Sequence, residues 1–151
     1  MILVDANLLL YAYNTSSEHY EAARHWLELL LSKPHQPVGL AWVTILGFLR
    51  ISTNPRAFPA PYSLAEAVSL VSGWLAVPAV AVVNPGERHW EILSRLLPAG
   101  QARGALVTDA HLAALAIEHG DVLHTTDRDF ARFAGLRSLN PLETPPISAG
   151  S

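Results

Sequence analysis

The chain has no cysteine, a single lysine and few charges of either sign, and each shortage closes off a class of explanation. Without cysteine there is no disulfide scaffold, no thiolate zinc site and no cysteine nucleophile. Lys33 is the one lysine, so positive charge rests on arginine, and the formal net charge is −3. A broad electrostatic grip on nucleic acid is therefore not written into the composition. Any such contact must be local, a few arginines around one site. Acids are sparse too, with none between Glu28 and Glu66. No apolar run reaches the ~18 residues of a membrane span, because Asp, Asn, His, Arg or Pro interrupts each one. The opening MILVDANLLLYAYN has no basic residue ahead of its apolar stretch and carries Asp5 and Asn7 inside it. A signal peptide is not expected, and the chain reads as cytoplasmic. The phosphate-cradling loops Gly-x-Gly-x-x-Gly and Gly-x-x-x-x-Gly-Lys-Ser/Thr are absent, which leaves nucleotide-cofactor chemistry without support.

What is present is a core. Half of the 151 residues are hydrophobic, enough for one packed domain and too many for a disordered chain. Short apolar runs of strand type occur at Ile2 to Val4, Val38 to Leu40 and Val80 to Val83, and further short strands are expected at Val122 to His124 and Leu136 to Leu139. Between them lie helical stretches: Asp5 to Tyr13, Glu18 to Leu31, Trp42 to Ile51, Ser63 to Leu75 and Glu87 to Leu97. An alanine-rich helix starts at Thr108 or Asp109 and runs to His119, with Gly120 placed for a left-handed C-terminal residue. One or two helical turns follow over Arg128 to Phe133. Strands alternating with helices predict an α/β domain with a short central parallel sheet flanked by helices, over residues 1–140. A flexible proline-rich tail is expected over 141–151.

In open parallel sheets, functional groups gather at the carboxyl ends of the strands. Asp5 directly follows the first strand, Asp127 follows Val122 to His124, and Asp129 lies two residues on. Asp109 is expected in the first turn of the alanine-rich helix, where the helix dipole favours a carboxylate. Read singly, Asp109 is equally an N-terminal helix residue, and Asp127 or Asp129 equally a helix cap. Asp5 resists that treatment, since an acid at the end of a buried strand is costly unless paired or liganded. If the first and late strands are neighbours, three or four carboxylates meet on one rim, and repelling carboxylates normally hold a cation. Oxygen donors alone select Mg2+ or Mn2+ over Zn2+.

MILVDANLLLYA, TILGFLRISTNPR and VTDAHLAALAIEHGDVLHTTDRDFARF together resemble the PIN-domain ribonuclease toxins of VapBC toxin–antitoxin pairs, above all the mycobacterial subgroup. The motifs are Asp-x-Asn after the first strand, Asp-Ala-x-Leu-Ala-Ala-Leu-Ala on a helix, and Thr-x-Asp-x-Asp-Phe; the likeness runs from Ile2 to about Leu139. It implies a Mg2+- or Mn2+-dependent endoribonuclease with catalytic metal carboxylates at Asp5, Asp109 and Asp127 and an auxiliary at Asp129. It also implies a structured RNA substrate, tRNA or rRNA, cut to stop translation, a cognate VapB-like antitoxin, and a homodimer. The Glu18–Leu31 and Ser63–Leu75 helices are candidates for partner contact, with core packing the competing role of most of their residues. One position departs from the pattern: many PIN domains carry a Glu where Gly47 stands, and the helix around it holds no acid. The competing readings are a PIN-like RNA- or protein-binding module that has lost this ligand, and an Asp-x-Asp phosphohydrolase, which Asp5-Ala6-Asn7 fits poorly.

Arg50 lies three positions beyond Gly47 and is a candidate phosphate contact, or else a helix-end arginine meeting the dipole. Arg128 could reach substrate or pair with Asp127 or Asp129. Asn7 is placed to steady Asp5. Thr125 and Thr126 could orient a site water or serve as strand-end residues, with Thr126 taken as the substrate-side candidate. The seven histidines show no metalloprotease spacing. Trp26, Trp42, Trp74 and Trp90 fall on separate helices and read as core or interface anchors rather than a base-stacking cluster.

Overall fold

The short apolar runs become strands and the amphipathic stretches become the helices that cover them. In the computed structural model, which describes residues 1–143, β1 (Ile2–Val4) leads into α1 (Ala6–Ala12) and α2 (Tyr20–Ser32). Next come β2 (Val38–Ala41), α3 (Trp42–Ser52), α4 (Leu64–Leu75), β3 (Val80–Val83) and α5 (His89–Ala99). The chain continues through α6 (Ala105–His119), β4 (Val122–His124), a 3-10 helix (Arg128–Arg132) and β5 (Arg137–Leu139). The sheet has five strands in the order β3-β2-β1-β4-β5, and all four pairings are parallel. The chain steps outward from β1 to β3, then returns to lay β4 on the other side of β1. That reversal makes a crevice at the carboxyl ends of β1 and β4, where open α/β sheets bind their ligands.

Each face of the sheet buries its own apolar layer. Successive strand residues point to opposite faces, so Leu3 and Leu123 enter a layer with Ile92, Leu96 and the Ala110–Ala116 stretch of α6. Val4 enters the other, with Leu8, Leu27, Phe48 and Trp74 from α1 to α4. Trp74 is buried edge-on against Phe48, with ring centroids 4.7 Å apart. A core anchor is therefore the right description of Trp74, whereas Trp42 and Trp90 stand exposed. The α4 N-terminus is closed by a capping box in which Ser63 and Glu66 exchange hydrogen bonds, the reciprocal arrangement that satisfies two orphan donors.

Several element ends shift by one or more residues from the sequence reading, and two of the shifts have a visible cause. α5 runs on through Pro98 to Ala99; the proline forfeits one helical bond in the last turn, and the Gly100 amide closes that turn by donating to the Leu96 carbonyl. α6 begins at Ala105, ahead of the expected Thr108 or Asp109. Its start is set by Gly104, whose backbone (φ 56°, ψ −126°) is open to glycine and strained for other residues. Asp109 therefore sits in the second turn, and the first turn holds no acid. The helix-dipole account of Asp109 is thereby withdrawn, because the dipole's effect is confined to the first turn. Of the expected tail, Leu142 packs on the core, and residues 144–151 lie outside the described residues.

Because nothing lies within 4 Å of where a Gly104 Cβ would be, Gly104→Ala should cost backbone strain alone. The expected loss is about 1–3 kcal/mol in chemical denaturation. An unchanged midpoint would show that α6 starts elsewhere.

Candidate active site

The register Ile2↔Val122, Leu3↔Leu123, Val4↔His124 sets the residues after β1 beside the residues after β4. The Asp5 amide donates to the His124 carbonyl at 3.0 Å. The Thr125 hydroxyl donates to Asp5 Oδ2 at 2.7 Å and accepts from the Asp127 amide at 3.0 Å. One buried threonine thus ties two of the expected acids into a fixed relation. Thr44, on the first turn of α3, donates to the Val4 carbonyl and draws that helix over the same strand end. α6 contributes Ala105, Thr108, Asp109 and Leu112, the i, i+3, i+4, i+7 stripe of one helix face.

Together these elements enclose a cavity of about 440 Å3 whose walls include Asp5, Asn7, Gly47, Arg50, Asp109 and Asp127. The expected departure at Gly47 lies on this wall: a Cβ there would meet only the Ala6 Cβ, at 3.7 Å. The other expected residues stand outside the lining. Asp129 is exposed, with its carboxylate 3.7 Å from Arg132 Nη2, while its amide donates to Asp127 Oδ1 at 2.8 Å. Arg128 is exposed and Thr126 half-buried. Thr125, not Thr126, is the threonine that touches a site carboxylate; the parallel register, once β1 and β4 are paired, is the signal that identifies it. Away from the cavity, His89 Nε2 and His111 Nδ1 meet at 2.9 Å between α5 and α6, so these two are less scattered than their spacing suggests.

The carboxylates are crowded and partly dehydrated. Burial raises the Asp5 pKa above the ordinary carboxylate value, opposed by the Thr125 hydroxyl and by the Ala6 and Asn7 amides at the start of α1; Asp127 adds to the rise. Burial, followed by the charges of Asp127, Asp5 and Asp129, pushes Asp109 up to about 6, against a smaller opposing pull from Arg132. Among the described residues no three acid or histidine side chains stand close enough to ligate one ion by themselves. The donor set is nonetheless all oxygen and net anionic, the chemistry of a hard divalent cation.

A carboxyl titrating higher in the fold than in the unfolded chain binds its proton more tightly when folded. Its stabilising effect is complete below the ordinary value near 3.8 and is lost as pH rises through about 6. Asp109→Asn removes that loss, so the variant should melt above the parent at pH 7, with the gap closing as pH falls towards 4. Asp109 is partly exposed and solvent-screened, which limits the expected gain to roughly 2–4 °C for a domain of this size. Thermal melts of the two proteins across this range check it; equal melting at pH 7 would show that the carboxylates do not strain the fold.

Known proteins share both the sequence and the fold. The PIN domain family profile matches residues 2–136. Ribonuclease VapC37 of Mycobacterium tuberculosis is 47% identical over 141 residues, covering 93% of this chain and 97% of that protein. Ribonuclease VapC33 of the same species is 39% identical over 142 residues, covering 94% and 99%. Among solved structures, VapBC2 from Rickettsia felis, bound to a promoter DNA fragment, superposes with a TM-score of 0.65 at 19% identity, covering 93% of this chain and 98% of its own. Mycobacterium tuberculosis VapC20, described as a sarcin–ricin-loop-cleaving toxin, superposes at 0.62 with 18% identity, covering 91% and 99%. The profile match over most of the chain and the near-complete alignment with these relatives place this chain in the VapC ribonucleases, a PIN-domain family.

Proposed function

We propose that the acidic cavity is where this ribonuclease cuts RNA, and that the chain is the toxin of a toxin–antitoxin pair. The observation that carries the reading is the convergence of Asp5, Asp109 and Asp127 on one cavity at the crevice between β1 and β4. Ribonucleases of this family need a divalent metal, and Mg2+ or Mn2+ suits an all-oxygen site. Asp5, Asp109 and Asp127 would hold it, with Asp129 as a further acid at the rim. Their oxygen donors suit a hard divalent ion, and no three of these side chains stand close enough to hold one by themselves. When bound, the ion supplies charge neutralisation at the phosphate and acidifies water.

The remaining chemistry belongs to this chain. Thr125 holds the Asp5 carboxylate in one orientation. Arg50, on the wall formed by α3, meets phosphate charge, and Asn7 offers an amide donor on the wall formed by α1. Arg128 and Thr126, just beyond β4, are the outer substrate contacts. The substrate is structured RNA, a tRNA or an rRNA loop, whose cleavage stops translation; VapC20's description names such a loop as that toxin's target. Cutting requires an unpaired or distorted segment, because a duplex does not splay its bases or its backbone. The partner is a cognate VapB-like antitoxin; a toxin–antitoxin complex from Klebsiella pneumoniae is among the shared folds. No helix of the described residues is long and apolar enough to cross a membrane, and the work is assigned to the cytoplasm, where the RNA is.

Asp5→Asn and Asp109→Asn should each lower RNA cleavage by more than the roughly 10–100-fold that loss of a supporting residue costs, and chelation should abolish it. Sequencing of RNA ends after expression reads both the loss and the cut site; cleavage at parental rate by either variant would sink the assignment. Gly47→Glu, for which the wall has room, should tighten Mn2+ binding in calorimetry. Unchanged affinity in a folded variant would place Gly47 away from the ion.

A further inference from the structure

The acidic cavity accounts for one flank of α3 and leaves the adjoining flank unexplained. Trp42, Leu46 and Arg50 stand at i, i+4 and i+8 and so form one stripe along the helix. Arg50 lines the cavity, as do Val43 and Gly47, the residues that follow Trp42 and Leu46. Yet Trp42 is 52% and Leu46 60% exposed. Trp42 opens α3 directly after Ala41, the last residue of β2, which is paired with Val83. It therefore sits at the carboxyl rim of the sheet, on the same edge as Asp5. Trp90 is exposed as well, but no residue of α5 belongs to the cavity wall.

Two properties of the molecule say what such an indole would meet. The cavity wall holds acids, small residues, aliphatics and one arginine, and no aromatic; it offers a phosphate a place and a base none. The net charge of −3 denies the protein the sequence-independent electrostatic affinity on which most nucleic-acid binders rely. An unpaired RNA segment must then be held by contacts that do not depend on bulk charge, and stacking on an aromatic face is the main one. We infer that Trp42 is the stacking platform for an unpaired base next to the cut phosphate, with Arg50 on the same stripe holding the intervening backbone. The inference rests on the cavity being the cutting site and adds to it the residue that positions the strand. The sequence alone argued against a stacking role because the tryptophans are dispersed; a single one suffices once it borders the site.

The test is made on Asp5→Asn protein, so that RNA is bound without being cut. Binding of a short, labelled, single-stranded RNA of mixed sequence is followed by anisotropy, with sedimentation velocity at the same concentrations. Trp42→Ala should weaken binding roughly tenfold or more, the scale of one lost base stack, with sedimentation unchanged. Trp42→Phe should recover most of the affinity. Trp42→Leu, apolar but not aromatic, should bind as weakly as the alanine variant, and it carries the test if that variant does not fold. Arg50→Ala should lower the salt slope by about one, while the Trp42 variants leave it unchanged. Equal affinity of all Trp42 variants overturns the platform. So does recovery by leucine, or loss of RNA binding only in step with dissociation of a larger species, which would make the stripe a contact between two copies. RNA held through Trp42 by a parent protein that never cuts it would support the platform and count against the nuclease reading instead.

Discussion

The pairing of β1 with β4 is the constraint on which the rest of the site depends. These strands are distant in sequence, and their parallel register brings the residue after each into contact: Asp5 beside Thr125, and through Thr125 to Asp127. The interaction is local hydrogen bonding, but it exists only because the chain reverses direction across the sheet between β3 and β4. An order that simply continued outward from β3 would bury the same apolar surface and leave the acids on separate edges. Burial stabilises the layers, and topology decides where the charges meet.

The carboxylates meet at a cost that the fold spreads over several contacts. Asp5 is offset by a short hydrogen bond from Thr125 and by the amides at the start of α1. Asp127 caps the 3-10 helix through the Asp129 amide. Asp109 has the least support, and its acidity is the most displaced for that reason: it answers to burial and to three neighbouring anions, with Arg132 in modest opposition. On the proposed reading, a divalent ion bound among these acids would relieve their repulsion and so couple its binding to stability. Gly47 keeps that strain from growing further, since a fourth acid on α3 would add another like charge to the same wall.

Much of this was legible in the residues. The short apolar runs and the helical apolar stripes mark where strands and helices form, because burial selects those patterns, and Ser63 announces the start of α4. Asp5 stands out because an acid at the end of a buried strand needs a reason, whereas Asp109, on a helix, and Asp127 are marked by the motifs that resemble the PIN-domain family. The start of α6 did not show, because Ala105 to Val107 read as well for loop as for helix until the backbone of Gly104 is known. Nothing local separates Thr125 from Thr126 as the residue that meets a carboxylate, since two adjacent threonines differ only in which way the strand turns them.

What the sequence determined by itself is therefore the class of fold, the chemistry of the acids and the absence of one at position 47. Only the tertiary structure decided that Asp109 lies in a second helical turn, that Arg50 belongs to the cavity wall while Asp129 stands outside it, and that Trp42 is exposed at the start of the helix that supplies part of that wall. The reason is one of range. Periodicity and capping act over a few residues and are written in the chain, whereas neighbourhood across a sheet depends on strand order, which no local pattern encodes.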